Sequence, residues 1–298
     1  MPANAVLEKI LAAKRAHPYG PEKTIDQLRS EHAANGASVP LPDGASYEAV
    51  DANGVPAEWV QAASIAPDRW FLFIHGGGYY RGSAAATRAT AARISAATKA
   101  RVLSIDYRLA PEHPYPAAID DAHTAYHWLL AAGADSSRTF VGGISAGGGL
   151  TLALLLRLRD ASEPLPAGAI PMSPWTDLTQ SGKSFEINAS TDPIICKAYL
   201  DRMSALYLGD ADAKTPYASP LHGDLTNLPP LLIQVGSAET LLDDSTEFVR
   251  KAGNSKVDVV YEVWPDMFHG WHSSAHILDD ARRAIDSIGD FCTQKLAD

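Results

Sequence analysis

Cysteine is scarce in this chain: Cys196 and Cys292 are the only two among 298 residues. They stand far apart with no disulfide-type spacing, which points to two free thiols in a reducing compartment. Basic charge is also short. Twenty-five Lys and Arg face 35 Asp and Glu, a formal net charge of −10, so no basic field exists to attract a nucleic-acid backbone. Long apolar runs are missing. No window reaches the length of a membrane span, and the first residues, Met-Pro-Ala-Asn-Ala-Val-Leu-Glu-Lys, lack the basic stretch and apolar run of a signal peptide. These absences predict a cytoplasmic protein with no nucleic-acid partner and no membrane span. Internal repeats and low-complexity segments are absent too.

What is present is ordinary for a globular enzyme. Hydrophobic residues make up 46% and charged residues 20%, in a length that suits one large α/β domain over 1–298. Residues 5–15 and 22–35 read as amphipathic helices, broken by Pro18-Tyr-Gly-Pro21. Residues 46–51 and 55–63 read as a hairpin around Asn53-Gly54. The chain then alternates. Apolar strand runs at 69–74, 101–106, 138–142, 168–172, 230–235 and 257–263 are interleaved with helices near 83–98, 117–132, 146–160, 240–252 and 274–296. That alternation predicts a mostly parallel central sheet with helices on both faces. Residues 176–225 interrupt it with Ser, Thr, Asp and Pro and one helix near 195–207. An insertion there can lie over the C-terminal edge of the sheet, where open α/β sheets bind ligands.

The chemistry starts at Gly143-Ile-Ser-Ala-Gly147. A serine between small residues at a strand-to-helix turn has its hydroxyl pushed out of the backbone, ready to attack. The following helix, from Leu150 onward, is apolar nearly all round and is predicted to be buried. Its N-terminus beside Ser145 favours the negative charge that an attacked ester carbonyl develops. A second glycine motif, His75-Gly-Gly-Gly-Tyr79, follows the strand at 69–74. Consecutive glycines leave backbone N–H groups unshielded, as the other half of an oxyanion hole requires. His75 is read as a brace for that loop.

A nucleophilic serine needs a base, and the base needs an acid to orient it. His269, on the loop after the final strand, fits the chain order serine, acid, histidine. The acid is expected after the penultimate strand. Glu239 stands nearest the strand end, while Asp243 and Asp244 fall where they would complement the N-terminus of the next helix. His269, His272 and His276 are spaced like ligands on one helix, but Gly270 interrupts them and no HExxH frame is present. No metal is expected. His113, His123 and His127 are read as surface or packing residues.

With both glycine motifs, Asp106-Tyr-Arg-Leu-Ala-Pro-Glu-His113, Pro114-Tyr-Pro-Ala117 and Ser173-Pro-Trp-Thr-Asp-Leu178, the chain resembles the hormone-sensitive-lipase-like family of α/β-hydrolase esterases. The resemblance runs from about residue 40 to the C-terminus. Ile144 departs from it, since relatives carry an acidic residue or threonine there. The branch with threonine uses glutamate as its triad acid, which favours Glu239 here. The resemblance implies oxyanion donors at the backbone of Gly77, Gly78 and Ala146. It also implies a small helical cap from about 1–40 and 180–210.

The expected activity is a serine carboxylesterase that hydrolyses short-chain acyl esters through an acyl-enzyme, with Ser145, His269 and Glu239 as triad and no cofactor. The substrate is a small-molecule ester. The pocket is expected to draw on Tyr79, Tyr80, Ile144, Trp175, Ile194, Ile195, Tyr199 and Trp271, whose aromatics read equally well as core packing and, taken singly, favour packing. A lactonase, a small-molecule deacetylase or a non-catalytic ligand-binding protein are the alternatives. Edge pairing near 257–263 suggests a homodimer.

Overall fold

A computed structural model describes residues 5–16 and 23–297. The predicted break at Pro18-Tyr-Gly-Pro21 lies outside the described residues. Among those described, eight strands form one sheet: β1 (Ser46–Asp51), β2 (Pro56–Gln61), β3 (Trp70–Ile74), β4 (Arg101–Ile105), β5 (Thr139–Ile144), β6 (Gly168–Met172), β7 (Leu231–Gly236) and β8 (Val259–Trp264). Their order across the sheet is β1-β2-β4-β3-β5-β6-β7-β8. β2 is antiparallel to both its neighbours, and from β4 to β8 every pair is parallel. The hairpin of β1 and β2 turns at Asn53 and Gly54, both at positive φ, as Asn-Gly predicts.

The helices are α1 (Ala5–Ala16), α2 (Ile25–Ala37), α3 (Ala84–Thr98), α4 (Ala117–Ala131), α5 (Ala146–Asp160), α6 (Ser184–Ile187), α7 (Lys197–Leu208), α8 (Leu242–Asn254) and α9 (Asp279–Lys295). They cover both faces of the sheet because its side chains alternate. Phe71 and Phe73 of β3 join Val102 and Phe140 in a cluster with Ala92 and Ile94 of α3 and Ile285 and Ile288 of α9. Leu72 and Ile74, with Leu103 and Val141, meet Ile119 and Leu129 of α4 and Leu150 and Leu154 of α5 on the other side. α5 is buried on every face, since Leu152, Leu155 and Leu156 enter a third cluster with Phe248 of α8. Each buried leucine contributes about 1.5–3 kcal/mol relative to exposure.

The sheet grows in two directions from its centre. β4 lies on one side of β3, and the chain then returns to place β5 on the other. Such a reversal opens a crevice at the C-terminal ends of the strands. The loops after β3 and β5, which carry the two glycine motifs, flank it.

Two elements differ from expectation. The helix predicted at 274–296 is a 3-10 turn, Trp271–Ser274, followed by α9 from Asp279. Leu278 is extended there, and Asp279 and Asp280 supply the acidic first turn that a helix N-terminus favours. The insertion holds the expected helix, α7, and also the four-residue α6, too short to leave a periodic signal. No helix among the described residues is long and apolar enough to cross a membrane.

Candidate active site

Ser145 sits between β5 and α5 with φ 61° and ψ −121°, a strained region for a residue with a side chain. Close approach forces the residues around it. A Cβ on Gly147 would lie 2.1 Å from the carbonyl oxygen of Ile74, so only glycine lets α5 rest on the end of β3. The serine backbone is held on both sides. Its N–H donates to Met172 O at 2.9 Å, and its carbonyl accepts from Gly149 N at 3.0 Å and Trp175 N at 3.1 Å.

Three side chains distant in sequence meet at this turn. His269 Nε2 is 2.8 Å from Ser145 Oγ, and His269 Nδ1 is 2.7 Å from Glu239 Oε2. Glu239 is wholly buried and His269 nearly so, at 0% and 7% exposure. A buried carboxylate must be satisfied by donors. Its second oxygen, Oε1, accepts from Gly236 N at 2.6 Å and from the Ser173 hydroxyl at 2.7 Å. Ser173 Oγ in turn accepts from Gly270 N at 3.3 Å. One hydroxyl therefore joins the loop of Glu239 to the loop of His269.

Asp243 and Asp244 stand in the first turn of α8, away from the imidazole. Asp244 accepts from Thr176 N at 2.7 Å and Asp177 N at 2.9 Å, and Asp243 from Ser184 N at 2.9 Å. Burial pushes the Asp244 carboxyl up to about 8. These aspartates fasten α8 to the segment 176–184.

Among the described residues, the N–H groups of Gly77, Gly78 and Ala146 have no hydrogen-bond acceptor. Gly77 and Gly78 both have positive φ, at 121° and 63°. A Cβ on Gly78 would meet Met203 Sδ at 2.1 Å, so α7 lies directly over this loop. His75 is buried and held at about 4 by desolvation, hence neutral. It stacks on Tyr107 at 4.2 Å between ring centroids, and its carbonyl accepts from the Tyr107 hydroxyl at 3.1 Å.

The family model for the alpha/beta hydrolase fold matches residues 71–273. An acetyl-hydrolase from Streptomyces hygroscopicus is 42% identical over 263 residues, covering 88% of this chain and 86% of that protein. A solved esterase from the bacterial hormone-sensitive lipase family is 45% identical, with a TM-score of 0.95 and 98% of each chain covered. The chain belongs to the hormone-sensitive-lipase-like family of α/β-hydrolase esterases. A crystal structure of EstE5-PMSF is similar too, at 42% identity and a TM-score of 0.94 over 100% of both chains.

The remaining motifs of this esterase are supports. Asp106 accepts from Ala84 N at the start of α3, at 2.6 Å. Arg108 pairs with Asp121, and Glu112 takes a two-pronged bond from Arg29, which ties α2 to the segment 106–113. Ser173 was legible only as part of a motif. Its place directly after β6, beside β5, is the signal that it borders Ser145.

Several of the aromatics expected at the pocket pack in the core, the reading favoured for each of them singly. Tyr79 stacks face to face on Tyr207 at 3.7 Å, Trp175 is wholly buried beside Tyr79, and Trp271 leans on His272. Tyr80 and Tyr199 join their hydroxyls beneath α7. Ile195 is buried in the same cluster. Ile144 and Ile194 are half-buried against the cluster that contains Met267 and Phe268. Ile144 also borders Gly270, where a Cβ would stand 3.5 Å from its methyl. An apolar side chain at 144 thus buttresses the loop that carries His269.

Proposed function

We propose that this ester hydrolase acts through a Ser145–His269–Glu239 triad. The observation that carries the reading is the unbroken hydrogen-bonded line from Ser145 Oγ through both nitrogens of His269 to the buried Glu239 carboxylate. Ser145 Oγ attacks the ester carbonyl while His269 Nε2 takes its proton. Glu239 fixes the tautomer with hydrogen on Nδ1 and stabilises the imidazolium. The N–H groups of Gly77, Gly78 and Ala146 receive the oxyanion, helped by the N-terminus of α5. The imidazolium returns its proton to the departing alcohol. Water then attacks the acyl-enzyme as His269 takes its proton, and His269 returns that proton to Ser145 Oγ as the Oγ–acyl bond breaks and the carboxylic acid leaves.

The substrates of this proposal are small esters with short acyl chains. Support comes from Met203 against Gly78 and the Tyr80–Tyr199 pair, which crowd the space above the oxyanion loop. The name of the Streptomyces relative, an acetyl-hydrolase, agrees with that crowding. In this reading the described parts of 1–40 and 180–210 form a cap. Leu7 joins the cluster that contains Phe268, and Leu28, Tyr199 and Met203 join the cluster that contains Tyr80. The reaction is placed in the cytoplasm, in keeping with two free thiols. Two copies pair along the edge strand β8, where Val260 and Val263 are exposed. A single-chain mass by light scattering removes that last element.

Ser145→Ala is expected to lower kcat on p-nitrophenyl acetate by about 10⁶-fold and to abolish the mass adduct left by a fluorophosphonate. Rates of the native enzyme should fall as the acyl chain lengthens. An alanine variant that keeps kcat within about 100-fold of the native enzyme, or an adduct elsewhere, overturns the triad, and faster turnover of long acyl chains overturns the substrate class.

A further inference from the structure

His123 and His127 lie one turn apart on α4, so their side chains share a face. The fold brings a third group to them. Glu163 follows the C-terminal end of α5 and stands beside that face, its N–H anchored on Leu158 O at 2.9 Å. Glu163 Oε2 is 2.7 Å from His123 Nε2 and 3.0 Å from His127 Nε2, and the two imidazole nitrogens are 3.2 Å apart. All three groups are half-buried, within reach of solvent.

With hydrogen on both Nε2 atoms, the two imidazoles donate to the same carboxylate oxygen, and the 3.2 Å side between the nitrogens carries no bond of its own. With hydrogen on Nδ1 instead, both Nε2 lone pairs converge with that of Glu163 Oε2 on one point. Three ligand atoms of metal-binding type then face a common centre, where a cation takes a lone pair from each.

We propose that His123, His127 and Glu163 bind a divalent transition-metal ion, zinc by donor chemistry, which clips α4 to the turn after α5. Two imidazoles and one carboxylate are a borderline-soft set suited to zinc, with a water completing four-coordination. The donors stand 2.7, 3.0 and 3.2 Å apart, so they need to open by a few tenths of an ångström to reach about 3.3 Å, the separation between ligands of a tetrahedron with bonds near 2.0–2.1 Å. The role is structural. α5 begins beside Ser145 and ends near Glu163, so its 15 residues put about 22 Å between the site and the nucleophile.

The test uses the full chain, dialysed against a chelator and titrated with zinc sulfate. One zinc per chain should bind, and the melting temperature should rise by about 5 °C at zinc 100-fold above its Kd. Both effects should vanish in His127→Ala and in Glu163→Gln, whose kcat on p-nitrophenyl acetate without metal should equal that of the native chain. Cobalt in place of zinc should give an intense visible absorption band that Glu163→Gln loses. The proposal fails if the native chain shows no melting shift, if the variants keep it, or if the cobalt spectrum is that of a weakly coloured octahedral ion.

Discussion

Ser173 touches neither reacting atom of the proposed mechanism, yet its hydroxyl holds Glu239 and meets the backbone of Gly270. It is a positioning residue. A hydrogen bond to a buried charge is worth about 1.5–3 kcal/mol, so Ser173→Ala should lower kcat by about 10- to 100-fold. KM should stay within about twofold, because the acyl pocket is untouched. An unchanged kcat, or a loss expressed mainly in KM, rules out this role. At the same scale, sequence left three carboxylates open as the acid. Glu239 is set apart from Asp243 and Asp244 by its donors, which come from Ser173 after β6, Gly236 at the end of β7 and His269 on the loop after β8. No short stretch of sequence contains them together.

Elements constrain one another at the crevice through contact distances. Gly147 is the point where α5 touches the end of β3. An alanine there would drive its methyl into the carbonyls of Ile74 and His75. Gly147→Ala should therefore cost about 3 kcal/mol or more, read as a lower denaturant midpoint, unlike the gain usual for alanine inside a helix. A neutral or stabilising outcome would mean the helix can slide away from the strand. Element boundaries were legible where periodicity was strong. β3, β4 and β7 fall within two residues of the apolar runs because strands buried on both faces are apolar throughout. The start of α9 was missed, since Ser273 to Leu278 continue a helical pattern while the backbone turns away to present Asp279 and Asp280.

For the whole molecule, buried histidines set the response to acid. Desolvation lowers His75 to about 4 and His272 to about 3, both below the ordinary value near 6.5. Folded, both stay neutral as pH falls through 6 and 5. Unfolded, both take up protons, so acid favours the unfolded chain. Between about pH 6 and 4 each histidine removes roughly 1.4 kcal/mol per pH unit. His32, lowered to about 3, acts in the same sense. Asp244, raised to about 8, acts in the opposite one, because the folded chain binds its proton below about pH 8 and the unfolded chain only near about 4. With three histidines against one carboxyl, the melting temperature should rise slightly from pH 8 to 7 and fall from 6 to 5. His272→Gln, which keeps a side-chain donor for Gln234, should flatten that fall. Equal slopes in the two proteins would remove His272 from the account.

The sequence by itself determined the parallel sheet with helices on both faces, the sharp turn that exposes Ser145 and the glycine loop after β3. These depend on neighbours: a period of two or 3.6 residues, and glycine where a Cβ has no room. Only the tertiary structure decided that Glu239 faces His269, that Ser173 joins their loops and that Glu163 completes a triangle with His123 and His127. Each of those meetings spans at least 30 positions of chain, counted from the residue numbers. The first two exist because the sheet reverses its growth at β3 and brings the ends of β5, β6, β7 and β8 to one rim. The third exists because α4 packs against α5, and the turn after α5 carries Glu163. Strand order follows from burying both faces of the whole sheet at once, a condition that no single window of sequence expresses.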